Sequence, residues 1–170
     1  CSSDLVSSDR MAPIQKLTDL SGKHVWVRKS SSYYESLQTL NDMLVSLHLE
    51  PVHIEQADEL LQDGDLLQMV DRGEIPFTLV DSHHAKLWTR VFSRLRFHEQ
   101  IPLRTKGETA WAFRKNSPQL AAEVNEFLRD YRYGTAKGNP IYRRYLQLAP
   151  GFAKRFLRGS TDQMGWSVDR

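Results

Sequence analysis

The sequence predicts an α/β fold, with a mainly parallel sheet flanked by helices. Two kinds of segment alternate along the chain. Short apolar runs have the alternation typical of strands, and longer stretches have apolar residues at helical spacing. Turn-forming residues separate most of these stretches. Because a strand–helix–strand order favours parallel pairing through right-handed crossovers, we expect helices on both faces of the sheet.

The composition is that of an ordinary soluble globular domain. Hydrophobic residues make up 40% of the 170 residues and charged residues 26%, which suits one domain with its own core. The net charge of +2 argues neither for nor against a nucleic-acid partner. No apolar run approaches the ~18 residues that a membrane span needs.

The start of the chain has two competing interpretations. Cys1 is the only cysteine, so no disulfide can form within the chain. Followed by Ser2 and Ser3, it fits the lipidated start of a mature bacterial lipoprotein. Residues 1–5 also resemble a translated sequencing adapter, and we favour this second interpretation because the predicted fold begins in its middle. The chain therefore reads as a fragment of a larger protein.

The first half of the chain predicts the following elements in order. A strand or linker at Leu5–Ser8 precedes an irregular segment with one turn of helix. There follow a strand at His24–Arg28, a helix that Ser31 or Ser32 caps and that runs to about His48, and a strand at Val52–Ile54. Pro51 ends the helical pattern before that last strand.

The second half continues the alternation. We expect a helix from Asp58 to the cap at Gly73, weakened by Gly64, then a strand at Phe77–Val80, a helix opening at Asp81-Ser82, strands at Leu95–His98 and Thr109–Arg114, and helices at Ser117–Tyr133 and Pro140–Leu148. Trp26 and Trp111 lie inside alternating strands, so we expect both in the core.

These elements divide the chain into four parts. We expect an N-terminal crossing segment at 1–19, an α/β domain at 20–115, two helices at 116–148 and a frayed tail at 149–170. The basic, aromatic stretch from Ile141 to Arg158 would suit nucleic acid or a membrane surface. Packing against another part of the protein is the simpler interpretation, so no nucleic-acid partner is expected.

Two polar sites follow predicted parallel strands, where ligands of such sheets bind. Ser30, Ser31 and Ser32 come after the first strand and open a helix, whose unpaired amides and hydroxyls suit a carboxylate or phosphate. Arg28 and its neighbour Lys29 would raise the positive potential there. Asp81 ends a nearby strand and could accept an ammonium group. The pair of sites suits a zwitterion such as an amino acid, although simple helix capping would explain either site alone.

Three motifs resemble a known family. The segments LSGKHVWVRKSSSYYESL, LLQMVDRGEIPFTLVDSHHAKL and ETAWAFRKNSPQLAAEVNEFL are similar, in this order, to the second lobe of type-2 periplasmic solute-binding proteins of family 3. They are especially similar to the solute-binding module of the membrane-bound lytic murein transglycosylase F group. The likeness covers Leu20 to Leu146.

The resemblance implies a role for each residue at the two sites. Ser31 and Ser32 match the positions that bind the ligand's α-carboxylate, and Asp81 matches the acid that receives its α-amino group. Ser30 stands where the group usually has Gly. The resemblance also implies a first lobe that closes on the ligand about a hinge, a return segment toward that lobe after residue 115, and a periplasmic or cell-envelope location.

No other group of residues in the sequence indicates a metal, cofactor or catalytic site. His83 and His84 are adjacent and the remaining histidines are scattered, so we expect neither a metal nor another cofactor. No nucleophile motif or phosphate loop is present, and we expect no enzymatic activity in this chain.

Three hypotheses about function stay open. The first is a solute-binding domain for amino acids or small peptides, serving a transporter. The second is the regulatory module of a peptidoglycan lytic transglycosylase, with the enzyme domain attached. The third is an interaction domain without a ligand.

Overall fold

The computed structural model describes residues 3–89, 91–105, 107 and 110–146, except for the side chains of 86, 87, 145 and 146. The chain divides into two compact units, Cys1–Glu108 and Thr109–Arg170. The predicted tail from residue 149 onward lies outside the described residues.

The first unit alternates strands and helices, as the apolar periods predict. Its elements are β1 (Ser3–Ser8), a 3-10 turn (Leu17–Leu20), β2 (His24–Arg28), α1 (Ser32–Ser46), β3 (His53–Ala57), α2 (Asp63–Arg72), β4 (Phe77–Asp81), α3 (Ser82–Trp88) and β5 (Leu95–Phe97). The second unit contains α4 (Pro118–Tyr131) and α5 (Gly138–Leu146).

The described strands form one mixed sheet in the order β3-β2-β4-β1-β5. β2 pairs in parallel with β3 and β4, joined by α1 and α2 as crossovers. β1 pairs antiparallel with both β4 and β5. The α/β class is thus confirmed, and the antiparallel share comes from β1, which the sequence left open between strand and linker.

The core of the first unit forms where the inward-facing residues of the strands pack against the apolar face of α1. Leu5, Val25 and Leu37 are each 0% exposed and belong to one contiguous apolar cluster. Burial of such side chains contributes roughly 1.5–3 kcal/mol each to folding. Trp26, which the sequence predicts in the core, is on the other face of β2 and is only half-buried, so it is not part of this cluster.

The side chain of Asn41 ties α1 to the connection that follows it. Its amide Nδ2 donates to the Val52 carbonyl at 2.9 Å, and its Oδ1 accepts from the Val52 amide at 2.7 Å. Val52 is only 3% exposed, so these backbone groups have little access to water. The pair of bonds therefore fixes the chain just before β3 enters the sheet.

The start of α2 differs from the sequence prediction. The helix begins at Asp63, because Asp58 instead accepts the Leu60 amide at 2.9 Å in a local turn. Leu60, expected in the apolar set of the helix, is 85% exposed. The predicted C-cap is correct, since Gly73 has the left-handed conformation, with φ of 79°.

The predicted strand at Thr109–Arg114 is wrong. Residues 110–114 have no strand hydrogen bonding, and Trp111, expected in the core, is 59% exposed. Its ring lies beside Phe127 of α4, with the ring centroids 6.2 Å apart. Alternation alone does not make a strand, because a strand also needs a neighbour to receive its backbone hydrogen bonds.

A buried histidine joins β1, β5 and the segment between β1 and β2. His98 is 6% exposed, with its Nδ1 3.2 Å from the Ile14 carbonyl and its Nε2 2.9 Å from the Ser7 hydroxyl. A carbonyl can only accept, so the Nδ1 carries the proton and the neutral Nε2 accepts from Ser7. Burial lowers the pKa of His98, although the hydrogen bond to Ile14 opposes this.

Replacing Asn41 with Ala is expected to lower the free energy of unfolding by about 1–3 kcal/mol, because two nearly buried backbone groups of Val52 lose their partners. Urea denaturation monitored by circular dichroism measures this. Asp42→Ala, at the next and exposed position of α1, is the matched control and should change stability by at most about 0.5 kcal/mol. Equal losses in the two variants would contradict the role assigned to Asn41.

The His98 ring is expected to make the first unit less stable in acid. Its folded pKa lies below the unfolded value of about 6.5, so the unfolded chain binds the proton more readily. This contribution is complete above about pH 6.5 and is lost as the pH falls toward the folded pKa. Comparing wild type with His98→Gln across this range isolates the effect. If both lose the same stability on acidification, His98 does not carry it.

Candidate functional site

The candidate site lies at the carboxyl edge of β2 and β4. These strands are parallel neighbours, with Trp26 opposite Thr78, and the Thr78 hydroxyl donates to the Trp26 carbonyl at 2.8 Å. Because parallel neighbours end at the same edge, the turn after Arg28 and the carboxylate of Asp81 come out side by side. The amino ends of α1 and α3 follow directly.

Ser31 and Ser32 shape the entry to α1. Ser31 is the N-cap residue, but its hydroxyl donates back to the Arg28 carbonyl at 2.7 Å instead of capping the helix. The amides of Ser32 and Tyr33 are at the first positions of the helix, where no intrahelical acceptor exists. This helix start therefore presents donors of the kind that a carboxylate accepts.

Ser30, the third serine, is hydrogen-bonded to a carboxylate of this chain. The Ser30 amide donates to Glu59 Oε1 at 3.0 Å, and the Ser30 hydroxyl donates to the other oxygen of Glu59. The hydroxyl bond, followed by the amide bond, lowers the pKa of Glu59. Sequence reasoning missed Glu59, although its place in the loop after β3, the parallel neighbour of β2, was a usable signal.

Arg28 is directed toward α2. Its guanidinium donates to Asp63 Oδ1 at 2.7 Å and to the carbonyl of Leu61. Both side chains of the ion pair are less than a fifth exposed, at 18% and 16%. The positive charge expected from Arg28 beside the serines is thus largely compensated by Asp63.

Asp63 also holds a histidine of α3. Its Oδ2 lies 3.2 Å from His84 Nδ1. Burial by itself would raise the pKa of Asp63, but the hydrogen bond from His84 and the charge of Arg28 outweigh it and the pKa is lowered. The same hydrogen bond raises the pKa of His84 against the opposing effect of burial.

Asp81 ends β4 and is half-buried. The hydroxyl of Ser3, its partner across β1, donates to Asp81 Oδ1 at 3.3 Å. The phenol of Tyr33 lies close enough to Asp81 for the charge of this carboxylate to act on it. Burial, with the charges of Asp63 and Asp81, raises the pKa of Tyr33, so the phenol stays a neutral donor at physiological pH.

Tyr33 links the serine turn to Asp81 electrostatically. It directly follows Ser32 in the first turn of α1, and the charge of Asp81 helps to raise the pKa of its phenol. Of the five residues predicted from sequence, Ser31, Ser32 and Asp81 line this shared edge, whereas Arg28 and Ser30 bond toward the α2 side. Sequence reasoning missed Tyr33, Asp63 and His84, because their roles depend on contacts between distant segments.

Two searches within the described part of the chain gave no candidates. No three His, Cys, Asp or Glu side chains converge there as metal ligands would. No helix among residues 3–89, 91–105, 107 and 110–146 has the length and apolar character of a membrane span.

Comparisons by sequence find relatives but no matching family model. The chain is 33% identical over 111 residues to a membrane-bound lytic murein transglycosylase F from Pseudomonas fluorescens, covering 65% of this chain and 21% of the relative. It is 38% identical over 114 residues to the Ectopseudomonas mendocina protein of the same name, covering 66% and 22%. The chain thus spans about a fifth of the length of these relatives.

Solved structures share the fold at lower identity. A structure described for glutathione import in Streptococcus mutans superposes with a TM-score of 0.70 at 18% identity, covering 86% of this chain and 59% of that one. The substrate-binding protein of an amino acid ABC transporter gives a TM-score of 0.67 at 15% identity, covering 86% and 60%. The three sequence motifs and these comparisons agree: the chain has the fold of the type-2 periplasmic solute-binding proteins and is a relative of the membrane-bound lytic murein transglycosylase F proteins.

Proposed function

We propose that this chain forms one wall of a solute-binding site for an amino acid or a small peptide. The observation that carries the proposal is the parallel pairing of β2 with β4: both strands end at one edge of the sheet, with an amide-rich helix start after β2 and the Asp81 carboxylate at the end of β4. A zwitterion needs donors for its carboxylate and an acceptor for its ammonium group at a short separation. This edge offers both.

The donors for the ligand's carboxylate are the amides at the start of α1 and the hydroxyl of Ser32. A helix amino end carries a partial positive charge, and the Ser31 hydroxyl, which donates to the Arg28 carbonyl, shapes the turn that presents these donors. Ser30 contributes indirectly, because its bonds to Glu59 hold the turn between β2 and α1. The nearby charge of Arg28 is balanced by Asp63, which favours a neutral zwitterion over a strongly anionic ligand.

The acceptor for the ammonium group is Asp81. Ser3 donates to its carboxylate and orients it, and an ionised carboxylate has further lone pairs for an ammonium ion. Such charge-assisted hydrogen bonds are about twice as strong as neutral ones. Asp81 therefore supplies the largest single contribution to recognition of the amine.

The opposite wall of the site comes from a first lobe that closes over the ligand. The matched structures are substrate-binding proteins, of which this chain covers about 60%. Half a cleft desolvates only part of a ligand, so we expect this chain alone to bind with millimolar affinity. The proposed location is the periplasm or cell envelope, because the relatives are named as membrane-bound murein enzymes.

A second candidate function is a regulatory module of a peptidoglycan lytic transglycosylase. The relatives found by sequence carry that name, and the matched part is about a fifth of their length. In this version the solute site senses a ligand and catalysis lies in an attached domain. In the first hypothesis the partner is instead an ABC transporter. The third hypothesis is an interaction domain without a ligand.

Asp81→Asn is expected to weaken binding of amino acids about ten- to a hundredfold, because the ammonium group loses its charged acceptor. The measurement is an NMR titration of this chain with the twenty L-amino acids and with simple dipeptides at millimolar concentration. Glu74→Gln, which removes one carboxylate at the amino side of β4, is the matched control and should bind like wild type.

The titration separates the hypotheses. Binding that depends on Asp81 supports the solute-binding function. Binding of equal strength in wild type and Asp81→Asn would place the amine elsewhere and contradict the assigned site. If no amino acid or dipeptide shifts any resonance of the wild-type chain, the interaction domain without a ligand is favoured.

A further inference from the structure

The adjacent histidines at the start of α3 have different surroundings. His83 and His84 have ring centroids 4.2 Å apart, with planes tilted by 55°. Burial, together with the charge of His84, lowers the pKa of His83, so His83 favours the neutral form. His84 is bonded to Asp63, which favours its protonated form. Only His84 therefore gains positive charge readily near neutral pH.

His84 faces ionisable groups from every neighbouring element at this edge. Asp63 of α2 bonds to it directly, and Arg28 of β2 bonds to the other oxygen of Asp63. Asp81 of β4 lies close enough for its charge to favour protonated His84. Tyr33 of α1 is close enough for the charges of Asp63 and Asp81 to raise the pKa of its phenol, and it remains neutral.

The charge balance of this cluster depends on one proton. Arg28 keeps its charge at all physiological pH values, and Asp63 and Asp81 are carboxylates. With His84 neutral, the two carboxylates face one cation, and the excess negative charge is available at Asp81. With His84 protonated, the two negative charges are matched by two positive charges.

We propose that His84 makes amine binding at Asp81 depend on pH, because the neutral ring leaves the carboxylate to an ammonium group and the protonated ring competes with it. The inference rests on the proposed function, since it assigns a regulator to the same site. Binding and protonation are then linked: an ammonium ligand favours neutral His84, and acidification favours release of the ligand.

The direction follows from the surroundings of His84. Because the hydrogen bond to Asp63 raises the pKa of His84 above its ordinary value of about 6.5, the change in charge falls in the range above that ordinary value. Affinity for an amine is therefore low below this range and rises as the pH increases through it. A unit charge close to the bound ammonium changes affinity about three- to thirtyfold.

The test is an NMR titration of this chain with L-glutamine and with L-arginine at about pH 5.5 and about pH 8, on either side of the histidine range. Wild type is expected to bind both probes more tightly at the higher pH. Glutaramate, which is L-glutamine without its α-amino group, should not gain affinity at the higher pH, because it has no ammonium group for His84 to repel.

Two substitutions at position 84 reproduce the neutral and the positively charged state of the histidine. His84→Gln keeps a hydrogen-bond donor for Asp63 without the charge, and should bind tightly at both pH values. His84→Lys keeps a positive charge throughout, and should bind weakly at both. His53→Gln, an exposed histidine at the amino end of β3, is the matched control and should keep the pH dependence of wild type. The dispersion of the amide spectrum verifies that each variant is folded.

The outcomes separate this inference from the function on which it rests. If L-glutamine or L-arginine binds through Asp81 with the same affinity at both pH values, the role of His84 is overturned and the solute site stands. A pH dependence that survives in His84→Gln also overturns it. If neither probe binds wild type at either pH, the inference fails together with amine recognition at Asp81.

Discussion

The parallel pairing of β2 with β4 is the constraint on which the rest of the site depends. The two strands run side by side and end at the same edge, which places the serine turn next to Asp81 although some fifty residues separate them along the chain. The bond from Thr78 to the Trp26 carbonyl adds a side-chain tie between these strands. The same pairing brings Tyr33 close enough to Asp81 for the charge of the carboxylate to act on its phenol.

The ionic contacts near this edge hold groups in position more than they stabilise the fold. Arg28 and Asp63 are mostly buried, so the cost of removing them from water offsets much of their attraction. The pair nevertheless fixes Asp63, and Asp63 in turn fixes His84. The contact between Ser30 and Glu59 is different, since an exposed carboxylate there is screened by water and serves mainly to hold a turn.

The sequence predicted which helices and strands form better than it predicted where they begin and end. It also predicted the backbone of the site better than the contacts among its side chains. The alternation of His24–Arg28 and the helical spacing after Ser32 were sufficient for β2 and α1. Asp58 misled the prediction of α2, because an aspartate that closes a turn looks the same in sequence as one that caps a helix. Residues 110–114 misled it because alternation carries no information about a pairing partner.

The residues that the sequence did not reveal share a physical property. Asp63 and His84 act through hydrogen bonds, and Tyr33 through nearby charges, that come from segments far away in the chain, and single-sequence patterns report only neighbours within a turn or two. Ser31, Ser32 and Asp81 could be placed because the end of a strand and the start of a helix are local features with known electrostatics.

The position of β1 has a consequence for the order in which the sheet forms. This strand lies between β4 and β5, so its backbone is paired only after residues 77–81 and 95–97 are available. The unit of β2, α1 and β3 can form earlier from contacts close in sequence. During that interval Leu5 and Val6 stay uncovered on an unpaired strand, which exposes β1 to aggregation or to capture by a chaperone.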